Sequence, residues 1–236
     1  MSDRLCENAR MNPHFAELAF ILDRSGFMGP IADAAIEGFN HFLHEQQHAQ
    51  GEARLTLVLF DDEYLVPIQS IPIDEAIPLD HTSYIPRGST ALLDAIGRTV
   101  DELGTRLAAQ PEPQRPGKVI IAILIDGLEN ASQQFTWRDI AAPIRHQAKK
   151  YAWEFLFLGA SQDAIATAAQ PSIAAENAAN FAADGTGVIV TSAAVGRKMK
   201  ACRARTAGRM TAEEAADAVA PLQEIVAGED NKRREK

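Results

Sequence analysis

Four short, near-continuous apolar runs, at residues 15–23, 54–61, 118–126 and 153–159, alternate with longer segments whose apolar residues recur at helical spacing. This pattern predicts a doubly wound α/β fold, with a mostly parallel sheet carrying helices on both faces. A further run, residues 63–71, follows the second strand after only Asp61 and Asp62. That gap is too short for a crossover, so these two runs predict a hairpin and one antiparallel strand. Pro67 and Pro72 place that strand at an edge, where a missing N–H donor is tolerated.

The elements follow in order. After the first strand, Ile31, Ala35, Phe39, Phe42 and Leu43 share one helical face, while Asp33, Glu37, Asn40 and Glu45 fall elsewhere. His41, His44 and His48 lie near one another on this helix, and their spacing could suggest zinc, but His41 and His44 flank inward-pointing Phe42 and Leu43 and read as its exposed face. Asp61, Asp62 and Glu63 read as a solvated hairpin turn. The proline-rich stretch 74–88 predicts a surface loop, and residues 91–107 a helix with Leu92, Ile96, Val100 and Leu103 inward. Pro111, Pro113 and Pro116 mark the linker 109–117. Thr136 and Asp139 have the spacing of a capping box that starts a third helix, and a fourth begins near Ser161. Trp137 and Trp153 read as core or near-core. Thr211 and Glu214 form a second capping box, for a helix that Pro221 ends or kinks, and disorder is expected beyond Gly228. The implied organisation is an N-terminal tail (1–14), one domain (15–208), and a C-terminal helix with a disordered tail (209–236).

With 236 residues and 46% hydrophobic composition, the chain can bury one domain of generous size. A formal net charge of −9 argues against a nucleic-acid-binding role, which draws on clustered Lys and Arg. The basic residues between 232 and 236 read as a solvated end. Cys6 and Cys202 are far apart and predict no disulfide framework. No apolar stretch approaches the ~18 residues that span a bilayer, and the expected location is cytoplasmic, with no membrane partner.

Ligands of open parallel sheets bind beyond the carboxyl ends of strands, where connections diverge. Three polar segments are expected there. Asp23 and Ser25 follow the first strand, Thr90 precedes the second helix, and Asp126 with Gly127 ends the third apolar run. Two carboxylates and two hydroxyls form an oxygen-only set suited to a small hard cation, Mg²⁺ or Mn²⁺.

These residues resemble the von Willebrand factor A domains, also called integrin I-like domains. Their metal-ion-dependent adhesion site comprises an Asp-x-Ser-x-Ser loop, a Thr before a later helix, and an Asp-Gly after the fourth strand. Asp23, Ser25, Thr90 and Asp126 match four of the five positions, and Phe27 stands where the second Ser is expected. The resemblance runs from about residue 17 to 197 and is nearest to stand-alone bacterial or phage members. It implies a Rossmann-like fold in which the hydroxyls bind the metal directly and the aspartates act directly or through water. The last coordination position is then filled by an Asp or Glu of a protein partner. The implied protein is a non-enzymatic interaction module, with a metal site weakened by Phe27. Phe27 has two possible orientations: folded over the loop, or pointing outward as an apolar finger with Met28 and Pro30. A metal-independent scaffold with a decayed site is one alternative. A phosphohydrolase of the haloacid-dehalogenase type is another, but it needs an acid/base Asp where Ser25 stands.

Overall fold

The computed structural model describes residues 11–160 and 164–235. In chain order the strands are β1 (Asn12–Asp23), β2 (Glu52–Phe60), β3 (Tyr64–Pro72), β4 (Pro116–Ile125), β5 (Glu154–Gly159) and β6 (Ala178–Asn180). The helices are α1 (Ala32–Gln47), α2 (Leu92–Ala108), α3 (Trp137–Tyr151), α4 (Ala164–Ala169), α5 (Gly185–Ala207), α6 (Ala212–Val219) and α7 (Leu222–Arg234).

All six strands form one sheet in the order β3-β2-β1-β4-β5-β6. Every pairing is parallel except that of β2 with β3, so the predicted hairpin and its antiparallel edge strand are present. The alternation of side chains along β1 divides the core. Leu18, Phe20 and Leu22 face a layer built from Phe39 and Phe42 of α1, Val195 and Met199 of α5, and Leu222 of α7. Ala19 and Ile21 face the opposite layer, built from Ile96 and Val100 of α2 and Ile140 of α3. One polar group interrupts this pattern: Glu17 of β1 is fully buried and accepts a 2.8 Å hydrogen bond from Arg106 of α2.

The start of α3 follows the sequence closely. Thr136 accepts from the Asp139 backbone and Asp139 from the Thr136 backbone, the reciprocal bonds of a capping box. Thr211 and Glu214 do the same for α6. His41, His44 and His48 are exposed, Trp153 is buried and Trp137 is partly buried.

Several features depart from expectation. β1 begins at Asn12, within the expected tail, because its first residues pair with the segment entering β4. β6 and α5 have no counterpart in the sequence reading. α5 is the longest helix, and it is buried against α1, the sheet, α6 and α7 together. Its Ala, Val and Gly residues therefore face protein on most sides, and no single apolar stripe marks it. Disorder beyond Gly228 is not observed: α7 continues to Arg234, docked through Leu222, Ile225 and Val226 in the core. Residues 1–10 of the expected tail, and Ser161, lie outside the described residues. Among the described residues, no helix is long and apolar enough to cross a membrane.

β1 leads through α1 to β2 on one side, and the chain returns through α2 to β4 on the other. The strand order thus reverses beside β1, and the carboxyl ends of β1 and β4 form the switch point at which ligands of such sheets bind.

Candidate metal centre

This edge of the sheet gathers the four residues picked out by sequence. Asp23 ends β1 with its carboxylate fully buried. Oδ1 accepts a 2.6 Å hydrogen bond from the Ser25 backbone N–H, and Oδ2 accepts one at 3.2 Å from the Asp126 N–H. One carboxylate therefore bridges the first loop and the end of β4, 103 residues apart in sequence. Burial pushes the Asp23 pKa up to about 7, even though both backbone donors and the nearby Ser25 hydroxyl oppose the rise; that hydroxyl lies close to the carboxylate without reaching hydrogen-bond geometry. Asp126 is half-buried, and burial raises its pKa as well.

Ser25 and Thr90 are fully buried, and among the described residues neither side-chain hydroxyl has a hydrogen-bond partner. Buried polar atoms are rarely left in this state, because an unmade hydrogen bond costs more than a made one contributes. Two orphan hydroxyls beside two carboxylates fit a small oxygen-seeking cation. Among the described residues, no group of three or more His, Cys, Asp and Glu could hold a metal, so the oxygen set depends on these hydroxyls.

Backbone bonds hold the loops together. Gly26 N–H donates to the Gly88 carbonyl at 3.1 Å, and Arg87 N–H to the Arg24 carbonyl at 2.8 Å. Thr90 N–H donates to Asn130 Oδ1 at 2.9 Å, and the Thr90 carbonyl accepts from Asn130 and Ala131. The fully buried Tyr84 donates its hydroxyl to the Asp23 carbonyl at 2.6 Å.

Phe27 takes an orientation between the two expected ones. Its ring leans onto Gly127: a Cβ placed there would sit 3.1 Å from Phe27 Cδ2 and 3.5 Å from Thr90 Oγ1. Gly127 also has φ of 141°, which L side chains rarely adopt, so glycine is required twice over. Phe27 remains 57% exposed, and Leu128, which follows Gly127 in the chain, is 64% exposed. Met28 is fully buried and contributes nothing to an exposed apolar finger.

The reading of Asp61 as a solvated turn residue is overturned: it is fully buried, whereas Asp62 and Glu63 are exposed. Asp61 Oδ2 lies 2.9 Å from Arg24 Nη2 and 3.0 Å from Arg87 Nε. Oδ1 accepts from the Glu63 N–H at 2.5 Å, and the Asp61 carbonyl accepts from Ala91 at 2.8 Å. Its position one residue after β2, at the carboxyl edge, was the signal that could have marked it.

No family model and no curated protein matches the sequence. Solved structures do. A pilus adhesin, SpaC of Lactobacillus rhamnosus GG, is 13% identical with a TM-score of 0.57, over 79% of this chain and 31% of that one. Proximal thread matrix protein 1 of the mussel byssus, in a form with a zinc-occupied MIDAS motif, is 11% identical with a TM-score of 0.56, over 78% and 48%. A von Willebrand factor type A protein of Catenulispora acidiphila is 15% identical with a TM-score of 0.50, over 82% and 42%. The chain thus spans less than half the length of each of these three. At such identities the likeness speaks for architecture alone, and the parallel six-stranded sheet with its antiparallel edge and helices on both faces agrees with it: the chain has the fold of a von Willebrand factor A domain.

Proposed function

We propose that this protein is a non-enzymatic interaction module that binds a partner protein through a divalent cation held by Asp23, Ser25, Thr90 and Asp126. The observation that carries the reading is the pair of buried hydroxyls on Ser25 and Thr90, without a hydrogen-bond partner among the described residues, at the edge where Asp23 and Asp126 meet. An all-oxygen donor set favours Mg²⁺ or Mn²⁺ over softer metals. Bound there, the cation would offer an open position to a carboxylate oxygen, so the partner presents Asp or Glu. The protein's own groups prepare the place. Asp23 fixes the spacing of two loops through its backbone acceptor bonds, and Gly127 leaves room beside Thr90. Ser25 stands where a phosphohydrolase of the haloacid-dehalogenase type would need a carboxyl acid/base, which favours binding over turnover.

Calorimetric titration with Mn²⁺ and Mg²⁺ tests this. The native protein is expected to give saturable heat that Thr90→Val abolishes, and Phe27→Ser to tighten binding by about tenfold, the scale of a restored coordination contact. Silence in the native protein with heat restored in Phe27→Ser would identify a decayed site, and silence in both would reject the cation altogether. Cytoplasmic residence belongs to the same proposal and is checked by fractionating cells that express the full chain.

A further inference from the structure

In sequence, Arg24 stands directly between the proposed ligands Asp23 and Ser25. A guanidinium so close in sequence to two ligand positions would oppose a divalent cation unless its charge were offset. Arg24 is buried, with Nη2 2.9 Å from Asp61 Oδ2 and 3.4 Å from Glu63 Oε2, and its Nε has no hydrogen-bond partner among the described residues. Arg87 approaches the same Asp61 oxygen at 3.0 Å and reaches Glu63 at 2.7 Å. The contacts at Asp61 Oδ2 lie at ion-pair distance without hydrogen-bond angles, so charge more than direction holds the group together.

We infer that Asp61 is a positioning residue: its buried carboxylate neutralises Arg24 and ties the Ser25 loop to the Thr90 loop as one unit. Three backbone bonds converge on this cluster. Arg24 N–H donates to Phe60, Arg87 N–H to Arg24, and Ala91 N–H to Asp61 itself. Ala91 immediately follows Thr90, and Arg24 immediately precedes Ser25. Asp61 therefore acts toward both loops from one point: its carboxylate pairs with Arg24 and Arg87, and its backbone carbonyl accepts from Ala91. It rests on the cation reading where affinity is concerned; the linkage of the loops stands independently of it.

The experiment has a metal-free arm and a metal arm. In EDTA, amide hydrogen exchange is measured at Gly26, Arg87 and Ala91 in the native protein and in Asp61→Asn. Exchange at all three is expected to quicken by about tenfold or more, with β4 and β5 unchanged. In the double variant Arg24→Met/Asp61→Leu, which removes the Arg24 charge together with the carboxylate, exchange is expected to stay fast, because the tie to Arg87 is still missing. Unchanged exchange in Asp61→Asn, or acceleration at Ala91 alone, would overturn the linkage. If Asp61→Asn does not fold, Arg87→Gln removes the exposed side of the cluster, and faster exchange at Gly26 and Arg87 is required of it. In the metal arm, Mn²⁺ affinity is expected to fall about tenfold to a hundredfold in Asp61→Asn and to recover in the double variant. A double variant as weak as the single one would overturn the neutralising role. Absence of Mn²⁺ heat in the native protein rejects the cation site, and the exchange arm then decides the role of Asp61.

Discussion

Thr90 holds a buried hydroxyl with no partner among the described residues, and such a group costs about 1–3 kcal/mol of stability when nothing bonds to it. Thr90→Val keeps the shape and the backbone bond to Asn130, so in EDTA it is expected to leave stability unchanged or raise it by about 1 kcal/mol in urea unfolding. In Mn²⁺ the order should invert, because only the native protein gains binding energy. A variant less stable than native in EDTA would show that the hydroxyl has a partner after all. Asp23 supplies a second expectation. Its folded pKa, raised to about 7, exceeds its ordinary value of 3.8, so between these limits the folded state holds the proton that the unfolded chain has lost. Stability from this group is complete below pH 3.8 and is lost as pH rises through 7. Thermal melting of the metal-free protein should show this falling component, and Asp23→Asn should flatten it.

α5 shows where local sequence signals run out. Its capping is orthodox: Asp184 accepts from the Gly187 N–H at 2.7 Å, and Gly208 closes the helix at φ 70°. Both signals were present in the sequence, yet no stripe of large apolar residues connected them. The helix packs closely enough on α1 that a Cβ on Gly38 would meet Ser192 Oγ at 2.5 Å. Gly38→Ala is therefore expected to destabilise by about 1–3 kcal/mol in denaturant unfolding, the usual cost of overpacking, against the gain in helix propensity. α1, α2 and α3 were legible because each faces water on one side and the sheet on the other, which imprints a period on the sequence. At α7 the apolar triplet Leu222, Ile225 and Val226 has helical spacing, but the charged run after Gly228 conceals it. Thr136→Ala should cost about 1 kcal/mol in the same assay, as the loss of a side-chain cap.

At the scale of the molecule, the C-terminal helices close the layer over α5. Lys198 of α5 is buried and donates to the carbonyls of Asp217, Ala218 and Ala220 at 3.1, 3.2 and 2.7 Å. Removing residues 209–236 would leave that charge without acceptors and take three apolar side chains from the core. At about 1.5–3 kcal/mol for each buried side chain, the loss rivals the whole stability of a typical domain. The truncated chain is expected to lose its cooperative thermal transition; a transition within a few degrees of native would place the domain boundary before α6. The mostly parallel sheet with its antiparallel edge hairpin, and the meeting of Asp23, Ser25, Thr90 and Asp126 at its carboxyl edge, were legible because strand runs and loop residues are local signals. Asp61 was misread, Arg24 was not singled out and Phe27 was left with two orientations, because burial and ring orientation depend on neighbours distant in the chain. The bridging carboxylate of Asp23 has one further consequence. Its two donors lie at opposite ends of a long stretch of chain, so they meet at one carboxylate only once β4 has joined β1. Such a closure is a late, high-contact-order event in folding, and a cation captured there would slow unfolding without hastening assembly.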